Sequence, residues 1–424
     1  MLEYDNQLMN EDIMNQIRSS FSYLEKDFFG NERLFFENSG GSLRLKEVSK
    51  VSYEIARIPD CPRREHDASK YISEVIDNGI EDIRYFLNAK QGKILTTLTA
   101  SGLMFDIVDK IANVSKGNNI VTTSLEHPSS FDACKTAAEK YNLDLRIAKT
   151  NKDKGSVDVN SLYNIIDHET SIVSIISTSN ITGAVHDIAE ISKQIRLINP
   201  NTYIVVDAVQ TAAHGLIDVN KWEVDVLSIA PYKMFGNRGV AYGYISERLS
   251  EIPHYRLLGS EKNNWDIGSP VPAHYAEFSE IVKYICSIGA NFTKSNDKRI
   301  LIEEGMTRIH LQEQAILNMF INGTNNIKGI KDIKNVNLHF VKENCSNHDL
   351  ILPITFQNIT SNEAVEKYKE NNIVVYNREL QSYYSNKILE SVGLDSIVRV
   401  SPLHCHDQKD IERFLEVTKE IAKL

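Results

Sequence analysis

Tyr203-Ile204-Val205-Val206-Asp207-Ala208-Val209-Gln210 and, one strand later, Val226-Leu227-Ser228-Ile229-Ala230-Pro231-Tyr232-Lys233-Met234-Phe235-Gly236 decide how this chain is read. Each opens on a β-branched apolar run and ends in a loop holding one ionisable side chain, Asp207 or Lys233. Short apolar runs of this kind are strands of a largely buried parallel sheet. Five more surround them, at residues 94–96, 120–123, 143–148, 172–176 and 240–245. Helical stretches alternate with these runs, and Leu103, Ile107, Ile111 and Val114 mark one by their spacing of three and four. The alternation predicts an α/β domain with a mostly parallel seven-stranded sheet. Such sheets bind ligands outside the carboxyl ends of their strands.

The texture changes after about residue 290. A long charged helix candidate (297–322) leads into apolar runs at 338–340, 350–356 and 373–377, with a helix at 362–371. A further run at 397–401 and a final helix at 407–423 complete a smaller α/β domain. Met9, Ile13, Ile17 and Phe21 place a helical arm at the other end. The expected division is an arm at 1–33, a large domain at 34–290 and a small domain at 291–424. With 42% hydrophobic and 25% charged residues, the composition is that of a globular protein. A net charge of -10 argues against nucleic acid or an anionic membrane as partner. No run approaches the roughly 18 apolar residues needed to span a bilayer, and the opening residues lack a signal-peptide pattern. Five scattered cysteines without a Cys-x-x-Cys pair support neither a disulfide framework nor a metal site. A cytoplasmic metabolic protein is expected.

Five features fall at the expected carboxyl ends of strands. Asp207 closes a buried run, where a carboxylate is costly unless it meets a cation or caps the following helix. Lys233 lies among apolar and aromatic neighbours, which disfavour its charged form and suit it to imine chemistry. Thr96-Thr97-Leu98-Thr99-Ala100-Ser101-Gly102 offers hydroxyls and amides to a phosphate at a helix N-terminus, although Thr and Ser are also ordinary caps. His127, in Ser124-Leu125-Glu126-His127-Pro128, could stack on a planar ring or stand idle in a loop. Asn180, in Asn180-Ile181-Thr182-Gly183, offers an amide or simple turn chemistry.

Together these features resemble the class V aminotransferase family of fold-type I pyridoxal-phosphate (PLP) enzymes, in its cysteine desulfurase and selenocysteine lyase-like branch. The resemblance runs from about residue 33 onward. It implies a PLP Schiff base on Lys233, Asp207 at the pyridinium nitrogen, and Gln210 and Asn180 near the phenolic oxygen. It implies His127 on the ring, and Thr99, Ala100 and Tyr232 among the cofactor contacts. In Asp266-Ile267-Gly268-Ser269-Pro270, Ser269 resembles the position that reaches the phosphate in a neighbouring subunit, which implies a homodimer with shared active sites. Arg399, in Val398-Arg399-Val400-Ser401, resembles the residue that grips the substrate carboxylate. Asn38, in Asn38-Ser39-Gly40-Gly41, belongs to the active-site loop and counts as a substrate-binding candidate.

Departures bear on the reaction. Ala230-Pro231-Tyr232-Lys233 replaces the Ser-x-His-Lys ending common in desulfurases. The segment where they carry a persulfide-accepting Cys reads Val374-Val375-Tyr376-Asn377-Arg378-Glu379-Leu380, without one. The resemblance implies a PLP-dependent lyase cleaving a C–S or other β/γ-substituent from a small amino acid, and the missing Cys implies that it works without the usual persulfide. An aminotransferase is the alternative, and a catalytically silent PLP-fold protein the reading from another class. Arg63 and Arg64 either line the pocket and read a second anion or sit on the surface. Cys405 either packs at the entrance to the last helix or, between His404 and His406, serves as a relocated nucleophile.

Overall fold

The computed structural model describes residues 8–341 and 347–424. Seven strands form the large sheet: β1 (Lys93–Thr97), β2 (Asn119–Thr123), β3 (Asp144–Ala148), β4 (Thr170–Ile176), β5 (Tyr203–Asp207), β6 (Val226–Ile229) and β7 (Ala241–Ile245). Their spatial order is β1-β7-β6-β5-β4-β2-β3. Every neighbouring pair is parallel except those of β7, which runs antiparallel to both β6 and β1. β2, β4 and β6 are buried at every position, as strands covered by helices on both faces must be. This is the architecture read from the apolar runs.

A second sheet, antiparallel throughout, has the order β8-β9-β11-β10, where β8 is Val336–Leu338, β9 Leu352–Phe356, β10 Tyr376–Glu379 and β11 Ser396–Val400. The 25-residue helix Lys298–Asn322 joins the two layers. Its Ile302, Met306 and Ile309 pack in the large core, and its Ile316, Leu317 and Phe320 in the small one.

The arm forms the helix Glu11–Ser20, with Ile13, Met14 and Ile17 buried on the large core. Phe21 leaves the helix to pair with Leu45 in a two-residue ladder. Residues 1–7 of the expected arm lie outside the described residues. Leu34 and Phe36 pack in the small core, and residues 34–35 run parallel to residues 373–374. The chain therefore contributes to the small layer before it builds the large one. Among the described residues, no helix is long and apolar enough to cross a membrane.

Candidate active site

A cavity of about 350 Å³ opens at the carboxyl ends of the large-sheet strands. This is within the range of small-molecule sites. Thr99, Ala100, His127, Asn180, Asp207, Gln210, Tyr232 and Lys233 all line it. Strand order explains the convergence, because β4, β5 and β6 are adjacent and parallel, and the loops after them emerge side by side.

Lys233 sits in a one-turn 3₁₀ segment with only 9% of its surface exposed. Its Nζ donates to the carbonyl of Ser39. Burial lowers its pKa to about 7, and the positive charge of Arg399 pushes the same way. Two residues on, Phe235 has φ of 73°, a left-handed conformation costly for a bulky side chain. Its buried ring, an N–H donated to Ser42 and a carbonyl bonded by Leu45 hold it there.

Asp207 closes β5 with 6% exposure. Among the described residues, its carboxylate receives the Ser130 hydroxyl at 3.2 Å and the Val209 N–H at 3.0 Å. Gln210 places Nε2 3.0 Å from His214 Nε2, and its Oε1 is buried without a partner. His214 in turn lies 2.8 Å from Glu313. Burial opposes charge on His214, yet the Glu313 carboxylate raises its pKa. Asn180 also buries an unpartnered Oδ1, while its carbonyl accepts from Arg399 at 3.0 Å.

Thr99 caps the helix Ala100–Val114 and accepts from the Gly102 N–H at 3.0 Å. The amides of the first turn have no partner within the helix, so this end of the cavity favours an anion. His127 caps the helix Pro128–Tyr141 through Nδ1. Its ring stacks on Tyr384 at 5.9 Å, and burial lowers its pKa. Tyr232 lies beneath the Arg238 guanidinium at 4.4 Å.

Arg399 is wholly buried, with Nη2 2.6 Å from Glu37. Gly40 permits this pair, since a Cβ there would collide with the Glu37 carboxylate.

The Asn38 side chain is engaged within its own loop and at Ser401, and of the alternatives open for Arg63, Arg64 and Cys405 the structure shows the surface and the packed placements. Asn38 makes no free contact for a substrate: its Nδ2 donates to the carbonyls of Phe35 and Ser401, and its Oδ1 accepts from Leu43. It shapes the loop that carries Ser39. Arg63 pairs with Asp77 on the surface, and Arg64 is exposed, so neither lines the cavity. Cys405 is fully buried in the large core, where burial pushes its thiol pKa far up. Ser269 is exposed and stands outside the cavity of its own chain.

The sequence reading missed Glu37, Glu126, His214, Glu313, Arg378 and Tyr384. Glu37 directly precedes the loop already singled out, and Arg378 lies in the segment searched only for cysteine. Glu126 was visible beside His127. It is fully buried and accepts from Thr123 and from the Ile176 N–H, and burial pushes its pKa well above the ordinary carboxylate range.

Comparison with known proteins gives a consistent picture. The aminotransferase class-V family model matches residues 35–414. A probable cysteine desulfurase of Borreliella burgdorferi is 27% identical, with 96% of each chain covered. A cysteine desulfurase of Wigglesworthia glossinidia brevipalpis is 21% identical over 97% of this chain and 98% of that one. In fold, the chain resembles the apo cysteine desulfurase of Thermococcus onnurineus, with a TM-score of 0.80 and 20% identity. That match covers 96% of this chain and 98% of the other.

Proposed function

This chain belongs to the aminotransferase class-V family, and from that premise we propose that it is a PLP-dependent enzyme of cysteine desulfurase-like chemistry, cleaving a substituent from a small amino acid. One observation carries the reading: a buried lysine of lowered pKa and a buried carboxylate without an ion-pair partner among the described residues line the same cavity.

The cavity suits the cofactor. Lys233 would hold it covalently, Asp207 would face its cationic ring nitrogen, and the first turn at Thr99 and Ala100 would take its phosphate. The unpartnered amide oxygen of Asn180 and the unpartnered end of the Gln210 amide mark polar groups that lack a ligand. A protonated His214 donates from both ring nitrogens, which selects the Gln210 orientation with its oxygen toward His214 and its NH₂ toward the cavity. Gln210 then offers a donor to the phenolic oxygen. When bound, PLP supplies an electron sink for the pair left at the substrate Cα.

The chain's own residues do the rest. Arg399 grips the α-carboxylate with guanidinium donors not engaged by Glu37 and Asn180. Lys233 Nζ, uncharged above about pH 7, takes the Cα proton. His127, whose pKa burial lowers, would cover the cofactor ring and assist proton transfer. No cysteine among the described residues lines the cavity, and Cys134 is buried with its thiol pushed up to about 12. Cys345 lies outside the described residues. With no cysteine in the Val374–Leu380 segment, the reading is that any C–S cleavage proceeds by elimination or by release to a small acceptor, and replacing the five cysteines one at a time should leave turnover within about a few-fold of wild type.

The purified protein should show a visible absorbance that borohydride abolishes. Lys233→Ala should lose it with an unchanged circular dichroism spectrum, and undiminished turnover in that variant would overturn the reading.

A further inference from the structure

The pairing of β10 with β11 sets Tyr376 opposite Arg399. Side chains two apart on a strand share a face, so Arg378 lies diagonal to Arg399 on the same side. Ile397, opposite Arg378, packs in the large core, so this is the face turned toward the large domain. Two guanidinium groups are thus drawn together, which is unfavourable unless anions accompany both.

Arg399 has Glu37. The Arg378 side chain forms no ion pair or hydrogen bond among the described residues, although the Glu37 charge reaches it as well. Its guanidinium rests 5.0 Å over the Tyr376 ring, and its Nε is buried and unpartnered. Arg378 is half-buried, and its Nε, removed from water without an acceptor, carries a cost that a bound anion would remove. The charge of Arg378 acts on Lys233 and on His127, both of which line the cavity. Arg238, which lines the cavity, rests over the Tyr232 ring and donates to the Gly40 carbonyl, whereas Arg378, set behind the lining, has no such acceptor among the described residues.

We propose that Arg378 is a specificity-determining residue, and that the substrate is an amino acid carrying a side-chain carboxylate as well as the α-carboxylate. The inference rests on the function proposed above and names its substrate class. Arg399 takes the α-carboxylate, and Arg378 takes the second one.

The test uses the holoenzyme, titrated calorimetrically with succinate and with butyrate, in wild type and in Arg378→Met. Wild type should bind succinate at least about 10-fold more tightly than butyrate. Arg378→Met should weaken succinate by about 10- to 100-fold and leave butyrate within about 3-fold, while Arg378→Lys keeps part of the preference. The wild-type comparison stands even if a variant fails to fold. Equal affinities in wild type, or an equal loss of both ligands in Arg378→Met, would overturn the inference. Protein without a borohydride-sensitive absorbance fails the functional reading. Coloured protein indifferent to the second carboxylate fails only this one.

Discussion

Lys233 shows what a single residue does and does not disclose. Its apolar neighbours in sequence predict a depressed pKa, and burial among them is the larger cause. The second cause, Arg399, is brought in from the other sheet and could not be seen locally. The consequence is measurable in protein stripped of cofactor. A lysine lowered from 10.5 to about 7 is mostly neutral above pH 7 and protonated below it. The rate of PLP uptake should therefore rise with pH through a midpoint near 7, and a midpoint near 10 would mean a solvated amine. Asn38 is the opposite case. Its place in the active-site loop was legible, but its commitment to Phe35, Leu43 and Ser401 depends on a partner more than 360 positions away.

Among the elements, strands were easier to read than the clasps that align them. The apolar runs located all seven members of the large sheet, because a strand covered on both faces has few alternatives in composition. Nothing in that pattern marks Asp225, just ahead of β6. Its side chain, 2% exposed, bonds Arg196 at 2.7 Å, Arg248 at 2.6 Å and the Ile204 N–H of β5 at 2.9 Å. It also accepts from Ser246, directly after β7. Asp225 thereby fixes three strands against one another at the end away from the cavity. Asp225→Ala strands two guanidinium groups and should cost about 3 kcal/mol or more in urea unfolding. A loss under about 1 kcal/mol would reduce the cluster to surface decoration. The register of β10 on β11 was equally hidden, and with it the approach of Arg378 to Arg399.

At the scale of the whole molecule, Ser269 is the outlying piece. It belongs to the expected phosphate site yet lies exposed and outside its own chain's cavity. A homodimer in which each chain lends Ser269 to the other reconciles the two, and sedimentation should find a two-fold dimer at assay concentrations. An active monomer would remove Ser269 from the site. The sequence changes texture near residue 290, but the route of the chain between the two layers is not legible there. Leu34 and Phe36 belong to the small core, and residues 34–35 lie beside 373–374. That short ladder has a consequence for biosynthesis. As the polypeptide emerges from the ribosome, its early contribution to the small core must wait, exposed and apolar, while the large sheet is made and folded. The small domain closes only after interior strand β11 and the last helix are translated, so that interval is when the nascent chain most needs a chaperone.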